Sequence, residues 1–218
     1  LDEIGVEGQA RLLASKALVI GAGGLGSPVA LFLGTAGVGT ITIVDHDSVD
    51  LTNLQRQIAH SMARVGTPKV ASAAQAIAAI NPEVRVVALQ ERADAARLDA
   101  LVAASDVVVD CSDNFATRQA VNAACVRHRK PLVSGAAVRF DGQLAVYDAR
   151  SLTSPCYACV FPPDADVQEA QCATMGVFAP LVGIIGAMQA AEALKLLAGA
   201  GMPATGRLLM LEARTMAW

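Results

Sequence analysis

The stretch ALVIGAGGLGSPVALFLGTAGVGTITIVDHD, residues 17–47, places a glycine-rich turn between an apolar run and a helical pattern, and a second apolar run then ends at Asp45. In the G-x-G-x-x-G spacing, the first glycine permits a tight turn, the second lets a phosphate approach the backbone, and the third lets the helix pack close to the sheet. The helix N-terminus favours an anion, and an acidic residue after the second strand can accept hydrogen bonds from ribose hydroxyls. The predicted nucleotide-binding residues of this stretch are Gly21, Gly23, Gly24, Gly26, Asp45 and Asp47.

Beyond this stretch the chain alternates apolar runs with helical periodicity. The apolar runs predict strands near residues 17–20, 40–45, 84–90, 106–110 and 131–135. The segments between them predict helices near residues 25–36, 67–80, 94–104 and 114–129. This alternation is typical of βαβ units, so we predict an α/β fold with a Rossmann-like, mostly parallel sheet.

The pattern changes after Gly142. GQLAVYD (142–148) and RLLMLEA (207–213) alternate like strands and predict antiparallel members in the C-terminal part of the sheet. Residues 148–179 lack periodicity and form a long loop, of the kind that is often functional. We predict one domain over 1–218, comprising a nucleotide-binding half at about 15–140 and a part with the crossover loop and C-terminal strands at about 141–218.

The composition narrows the class of protein. Hydrophobic residues make up 54% of the chain and charged residues 17%, and the mean hydropathy is +0.45. These values allow a large core, argue against disorder and suggest that part of the surface is covered by a partner subunit. A net charge of −3 gives no reason to expect a nucleic-acid partner.

The most apolar helical pattern covers 180–199, and Gln189, Glu192 and Lys195 interrupt it. We therefore predict a buried core or interface helix and no membrane partner. Five cysteines without an obvious pairing fit a reducing compartment better than a disulfide scaffold, so we predict a cytoplasmic protein.

The segment DLTNLQRQIAHSMARVGTPK (50–69) bears on the choice between ATP and NAD. A triphosphate under attack at its α-phosphorus needs cations around it, and Arg56 and Lys69 are the candidates, with Asn53 and Gln57 as neutral donors. The spacing predicts that Asn53, Arg56 and Gln57 share one side of a short helix. Lys69 falls in the first turn of a helix, where its charge opposes the helix dipole. Solvated surface charges are the alternative reading.

The segment VVVDCSDNFATR (107–118) carries carboxylates at the end of a strand. Asp110 ends the apolar run, and Asp113 and Asn114 follow in a loop at the crevice where open α/β sheets bind ligands. A carboxylate that faces phosphates is best explained by a bridging Mg²⁺. Asp113 could instead cap the following helix.

Several motifs together resemble one family. GAGGLGSPVALFLGTAGVGTITIVDHDSVDLTNLQRQ, GTPK, DCSDN, PLVSGAA, CYAC and CATMGVFAPLVGIIGAMQAAEALKLL follow the order found in the adenylyltransferases that activate ubiquitin-like sulfur-carrier proteins. These enzymes are relatives of ubiquitin-activating enzymes, and the likeness extends along nearly the whole chain. The molybdopterin-synthase branch is the nearest, and the thiazole branch is the alternative.

The resemblance implies a reaction and a set of roles. The C-terminal glycine carboxylate of a small β-grasp carrier would attack the α-phosphorus of ATP, giving an acyl-adenylate and pyrophosphate. By the same resemblance, one group would hold ribose, one would hold phosphates and one would bind Mg²⁺. These are Asp45 for ribose, Asn53, Arg56, Gln57 and Lys69 for phosphates, and Asp113, beside Asn114, for Mg²⁺. The family also implies a homodimer and an arginine before Leu1 that reaches the neighbouring nucleotide.

The cysteines leave alternatives open. Cys156 and Cys159 form one C-x-x-C, which suits a zinc half-site, a redox pair or coincidence. Relatives pair it with a second C-x-x-C, so Zn²⁺ is expected only if such a pair follows this chain. Cys172 matches a crossover-loop cysteine of relatives and is a candidate nucleophile or an ordinary thiol. Cys111 and Cys125 are expected in the core.

Three other functions compete with carrier adenylation. An NAD-dependent oxidoreductase would explain the glycine turn but not Arg56, Lys69 and Asp113, and neither Tyr147 nor Tyr157 has a lysine four residues later. A nucleotide-binding scaffold would keep the fold without the chemistry. Activation of an RNA-borne carboxylate is disfavoured by the net charge of −3.

Overall fold

A computed structural model describes residues 1–151, 153–164 and 175–218. Its centre is one seven-stranded sheet in the order β3-β2-β1-β4-β5-β6-β7. The strands are β1 Lys16–Ile20, β2 Thr40–Val44, β3 Arg85–Leu89, β4 Val107–Asp110, β5 Pro131–Val138, β6 Asp141–Asp148 and β7 Leu208–Glu212. Strands β1 to β5 pair in parallel, whereas β6 and β7 are antiparallel additions at one edge. The predicted α/β class and the antiparallel C-terminal strands are confirmed.

Seven helices lie in the described part of the chain. They are α1 Gly5–Ala14, α2 Gly26–Thr35, α3 Lys69–Ile80, α4 Ala95–Ala103, α5 Phe115–His128, α6 Tyr157–Val160 and α7 Ala179–Ala198. Two short 3₁₀ helices lie at Leu51–Asn53 and Met62–Arg64.

Two helices were missed by the sequence prediction. Helix α1 buries only Gly8 and Leu12 and leaves its other residues exposed. Helix α6 is four residues long and lies inside the predicted loop of 148–179. A segment this short carries little periodicity, and its form is set by the residues packed around it.

The sheet is covered on both faces, as the uninterrupted valines of β4 predict. Val107 and Val109 enter a core shared with α2, α3 and α7. Val108 points to the other face and packs in a second core with α4 and α5. Strands β1 and β4 are therefore central, and the carboxyl ends of the parallel strands all open at one edge of the sheet.

Helix α7 is the predicted apolar helix of 180–199. Among the described residues, it is the one helix whose length and composition would allow a membrane span, yet 56% of its 18-residue apolar segment is buried inside the protein. Leu181 and Ile185 are fully buried against the sheet, and α7 also packs along α2. The prediction of a buried core helix is confirmed.

Candidate functional site

A cleft of about 1000 Å³ opens at the carboxyl ends of β1, β2 and β4. The connections leave the sheet in opposite directions between β1 and β4. Strands β2 and β3 lie on one side of β1, whereas β4 and β5 lie on its other side. This is the topological switch point at which open α/β sheets bind ligands. The predicted site residues on its wall are Gly21, Gly23, Gly24, Asp45, Asp47, Asn53, Arg56, Gln57, Lys69, Asp113 and Asn114.

The glycine turn leads from β1 into α2. Gly21 has φ +96°, and a β-carbon there would lie 2.8 Å from the carbonyl oxygen of Cys111. A β-carbon on Gly26 would lie 1.9 Å from the carbonyl oxygen of Gly21. The turn therefore requires glycine at both positions, as the motif predicts. Gly23 and Gly24 face the cleft, while Gly26, the first residue of α2, packs directly on the turn.

His60 holds this turn and was given no role from the sequence. It is 8% exposed, its Nε2 lies 2.9 Å from the carbonyl oxygen of Ala22, and its Nδ1 lies 2.9 Å from the hydroxyl of Ser72. Because a carbonyl only accepts, Nε2 carries the proton and donates to Ala22, and the Ser72 hydroxyl donates to Nδ1. Burial lowers the pKa of His60 despite the hydrogen bond to Ala22, so the folded protein favours the neutral ring.

The two predicted acidic residues after β2 have different partners. Asp45 accepts hydrogen bonds from the backbone N–H of Ala22 at 2.7 Å and of Asp47 at 2.8 Å, which fixes its carboxylate beside the turn. Asp47 pairs with Nζ of Lys69 at 2.8 Å, and this hydrogen bond lowers the pKa of Asp47. The Lys69 side chain is only 8% exposed, so the ion pair holds a largely buried cation on the cleft wall.

Asn53, Arg56 and Gln57 come together, but not on a regular helix as predicted. Asn53 ends a 3₁₀ helix that is capped by Asp50, and its carbonyl accepts from the backbone N–H of both Arg56 and Gln57. Gln57 is 3% exposed, and its Oε1 has no hydrogen-bond partner among the described residues. A buried amide oxygen without a partner is costly, so this atom is available to a ligand in the cleft.

The turn between β4 and α5 corrects the alternative assignment of Asp113 as a helix cap. Asn114 is the N-cap, and its Oδ1 accepts from the backbone N–H of Thr117 at 2.9 Å. The Asp113 side chain is exposed on the cleft wall and makes no hydrogen bond or ion pair with the described residues. A free carboxylate facing a phosphate site suits Mg²⁺, which takes one or two carboxylates and completes its shell with water and phosphate oxygens.

Cys156 and Cys159 lie beside each other, with their Sγ atoms 3.5 Å apart. Burial would raise the pKa of Cys156, but hydrogen bonds from Asn122, Cys159 and backbone amides together lower it. Two adjacent sulfurs fit one edge of a tetrahedral zinc site and supply half of its ligands. Cys111 and Cys125 are buried in the two cores. Cys172 lies outside the described residues.

The described ranges contain a single group of three or more possible metal ligands, Asp45, His46 and Asp47. The Asp45 oxygens already accept backbone N–H groups, and Asp47 is paired with Lys69. The C-x-x-C pair gains no third ligand within those ranges, so they do not provide a complete zinc site.

Two buried polar residues of the site were not predicted. Gln189 of α7 is fully buried, and its Nε2 donates to the carbonyl oxygen of Asp110 at 2.7 Å. Arg118 of α5 is 8% exposed, lines the cleft and donates to the carbonyl oxygen of Ser112. A signal existed for both, because Gln189 interrupts an apolar helix and Arg118 opposes a helix dipole as Lys69 does.

The fold and the cleft define a Rossmann-type nucleotide-binding protein with cationic groups beside a glycine turn. The chain belongs to the ThiF family, whose model matches residues 1–218. It is 46% identical to the sulfur carrier protein ThiS adenylyltransferase of Escherichia coli, over 100% of this chain and 86% of that protein. It is also 46% identical to the molybdopterin-synthase adenylyltransferase of Escherichia coli, over 96% of this chain and 83% of the relative.

The fold is also that of a solved enzyme structure. Escherichia coli MccB with ATP matches with a TM-score of 0.84 at 25% identity, over 97% of this chain and 64% of that chain. A second MccB structure, with MccA-N7isoASN, has a TM-score of 0.86 at 24% identity and supports the fold alone. The chain therefore spans about 64% of the length of the solved MccB chain with ATP.

Proposed function

We propose that this protein uses ATP to adenylate the C-terminal glycine carboxylate of a small ubiquitin-like sulfur-carrier protein of the molybdopterin-synthase type. A carboxylate oxygen of the carrier bonds to the α-phosphorus, and the bond from that phosphorus to the α,β-bridging oxygen breaks. Pyrophosphate leaves with the electron pair, and the acyl-adenylate remains. The observation that carries the proposal is that a buried Lys69 and an Asp113 carboxylate with no bond to the described residues lie on the same cleft wall as the glycine turn.

The residues of the cleft act by position and charge, and no covalent enzyme intermediate is required. Gly21, Gly23 and Gly24 let the nucleotide approach the backbone, while Gly26 holds the turn closed. Asp45 accepts from the ribose hydroxyls. The groups that bind and polarise the phosphates are Asn53, Arg56, Gln57 and Lys69, with Asp47 orienting Lys69 and Asn114 shaping the turn that carries Asp113.

Asp113 would hold Mg²⁺. The bound ion would supply positive charge near the phosphates, which would help to stabilise the negative charge that develops during attack. The free Asp113 carboxylate meets this requirement because it is committed to no other described residue. Arg56 and Lys69 supply the remaining positive charge from the protein itself.

The wider assembly is proposed on the family likeness. The whole of 1–218 would act as one adenylation domain in a cytoplasmic homodimer, without nucleic-acid or membrane partners. Exposed apolar side chains such as Val6 and Met62 support a covered surface. Cys156 and Cys159 would contribute to Zn²⁺ binding if a second cysteine pair completes the site, and Cys172 would be a candidate nucleophile toward the carrier.

The thiazole branch is the alternative, because relatives of both branches are 46% identical to this chain. An NAD-dependent oxidoreductase is less well supported, since a dinucleotide pyrophosphate has little need of the cations at Arg56 and Lys69.

Carrier-dependent pyrophosphate exchange tests the proposal. Purified protein, ATP, Mg²⁺ and labelled pyrophosphate are combined with a molybdopterin-type carrier, with a thiazole-type carrier, or with either carrier lacking its last two glycines. We expect label to enter ATP only with an intact tail, and fastest with the molybdopterin-type carrier. Equal exchange without a carrier, or hydride transfer to NAD, contradicts the proposal.

Asp113→Ala tests the metal assignment within that reaction. We expect exchange to fall below detection while the melting temperature is kept, because the carboxylate is exposed and contributes little to folding. Asp99→Ala, which removes a partly exposed carboxylate of α4 that pairs with Arg127 and His128 at the far end of α5, is the control and should retain activity within about twofold. Activity of Asp113→Ala within about tenfold of wild type, or about 1.4 kcal/mol of barrier, rejects the assignment.

A further inference from the structure

Arg118 is a cation placed where it does not stabilise its own helix. It is the fourth residue of α5 and lies in the first turn. A positive charge there opposes the partial positive charge of the helix N-terminus. The side chain is also 8% exposed, although Arg is rarely buried unless it is paired. Its position therefore has a cost that local helix stability does not offset.

The surroundings of Arg118 do not neutralise its charge directly. No carboxylate of the described residues lies within ion-pair distance of it. Asp110 is also fully buried. Its charge and that of Arg118 both influence the pKa of Cys111 and of Tyr157, so the two side chains lie in the same region, but Asp110 does not bond to the guanidinium. A buried guanidinium is tolerated when its N–H groups are satisfied by well-placed acceptors.

One such acceptor lies on the turn that carries Asp113. Nη2 of Arg118 donates to the carbonyl oxygen of Ser112 at 2.6 Å, a charge-assisted bond to the residue immediately before Asp113. Tyr157 of the C-x-x-C segment lies in the same region, because burial raises the pKa of its hydroxyl while the positive charge of Arg118 opposes that rise. Asn122 fixes Tyr157 in turn, because its Oδ1 accepts from the Tyr157 backbone N–H at 2.9 Å.

We propose that Arg118 is a positioning residue that holds the Ser112–Asn114 turn, so that the Asp113 carboxylate is set for Mg²⁺ bound with ATP. The inference rests on the proposed function and deepens it. Asp113 makes no bond of its own to the described residues, so its direction depends on the backbone of this turn. The Ser112 side of the turn is held through its carbonyl oxygen by Arg118 and through its N–H by Oδ1 of Asp110, at 3.0 Å, and the Asn114 side is held by its cap to Thr117.

Metal-dependent nucleotide affinity tests this role without measuring turnover. Calorimetry gives the Kd of ATP with Mg²⁺ and of ATP with EDTA for wild type, Arg118→Met, Arg118→Lys and Arg127→Met. Arg127 is the matched control, since it is an exposed arginine of the same helix that pairs with Asp99. We expect Mg²⁺ to tighten wild-type and Arg127→Met binding at least tenfold. In Arg118→Met, Mg²⁺ should tighten ATP binding less than threefold. The Kd of ATP measured with EDTA should stay within twofold of the wild-type value.

Arg118→Lys keeps the positive charge but replaces the planar guanidinium with a compact ammonium group. The tightening of ATP binding by Mg²⁺ should therefore lie between the values of wild type and Arg118→Met. If Arg118→Met does not fold, Arg118→Lys decides, and an unchanged gain overturns the proposal. Three other results also overturn it: a wild-type gain in Arg118→Met, equal weakening of both forms of ATP, or no Mg²⁺ gain in wild type. Failure of the proposed function has a different signature, namely no carrier-dependent exchange by wild type.

Discussion

A β-carbon on Gly26 would lie 1.9 Å from the carbonyl oxygen of Gly21, far inside van der Waals contact. That distance is the residue-scale reason for the third glycine of the motif, because the start of α2 rests directly on the turn. Chemistry at this scale also depends on single polar groups that make no hydrogen bond to the described residues. The Oε1 of Gln57 and the carboxylate of Asp113 both face the cleft without a bond to the described residues.

Gly26→Ala is expected to lower the free energy of unfolding by about 3 kcal/mol, since the backbone must shift to admit the methyl group. Denaturant melts of both proteins measure the difference. Gly183→Ala is the matched control, because Gly183 lies within α7 and nothing lies within 4 Å of its added β-carbon. That variant should be unchanged or more stable by up to about 1 kcal/mol. Equal effects of the two substitutions would contradict the packing argument.

At the scale of elements, the cleft exists because separate segments are tied to one another. His60 joins the glycine turn to α3 through Ala22 and Ser72. Lys69, the first residue of α3, is tied to the loop after β2 through Asp47. Helix α7 reaches across the sheet with Gln189 to the end of β4. Each link fixes one wall of the cleft relative to another.

The His60 link gives stability a defined dependence on pH. Burial lowers the pKa of His60 below its usual value of 6.5, so at a pH between the two values the unfolded chain holds a proton that the folded chain lacks. The contribution is therefore fully present above about pH 6.5, and the free energy of unfolding falls as the pH drops below that value. Unfolding of wild type and His60→Gln between pH 7.5 and 5.5 should show a smaller slope for the variant.

NMR titration gives a second measurement of the same property. The imidazole signal with a pKa below 6.5 should disappear in His60→Gln. A pKa of His60 at or above its usual value would show that the ring is not held neutral. His60 would then give no reason for the free energy of unfolding to fall at lower pH.

At the scale of the whole molecule, the site depends on topology. Residues from the ends of β1, β2 and β4 meet in one cleft because the parallel strands all finish at the same edge. The antiparallel β6 extends this wall, since Asp141, Gly142 and Gln143 also line the cleft. The cleft of about 1000 Å³ thus continues from the glycine turn along the C-terminal part of the sheet.

Ligand binding should stabilise the whole fold in a selective way. At a concentration of about 100 times its Kd, Mg·ATP is expected to add about 2.7 kcal/mol to the free energy of unfolding, because it binds only the folded state. NADH at equal concentration should add much less. Lys69→Met should lose most of the ATP effect while retaining the fold. Equal stabilisation by NADH would favour the oxidoreductase alternative.

Local pattern in the sequence determined the α/β class, the parallel strands, the glycine turn and most of the cleft wall. Strand period, turn sterics and the position of a residue after a strand are properties of neighbouring residues, so they can be recognised without a fold. The same holds for Lys69, whose charge conflicts with its own helix dipole.

Only the tertiary structure decided which groups serve each other. It made Asn114, and not Asp113, the cap of α5, gave His60 a structural role, and joined Gln189 to Asp110 across 79 residues. Such contacts depend on how the helices pack on both faces of the sheet, and no local period encodes that packing. The hydrogen bond of Arg118 to Ser112 spans only six residues, yet its importance comes from the burial that packing imposes.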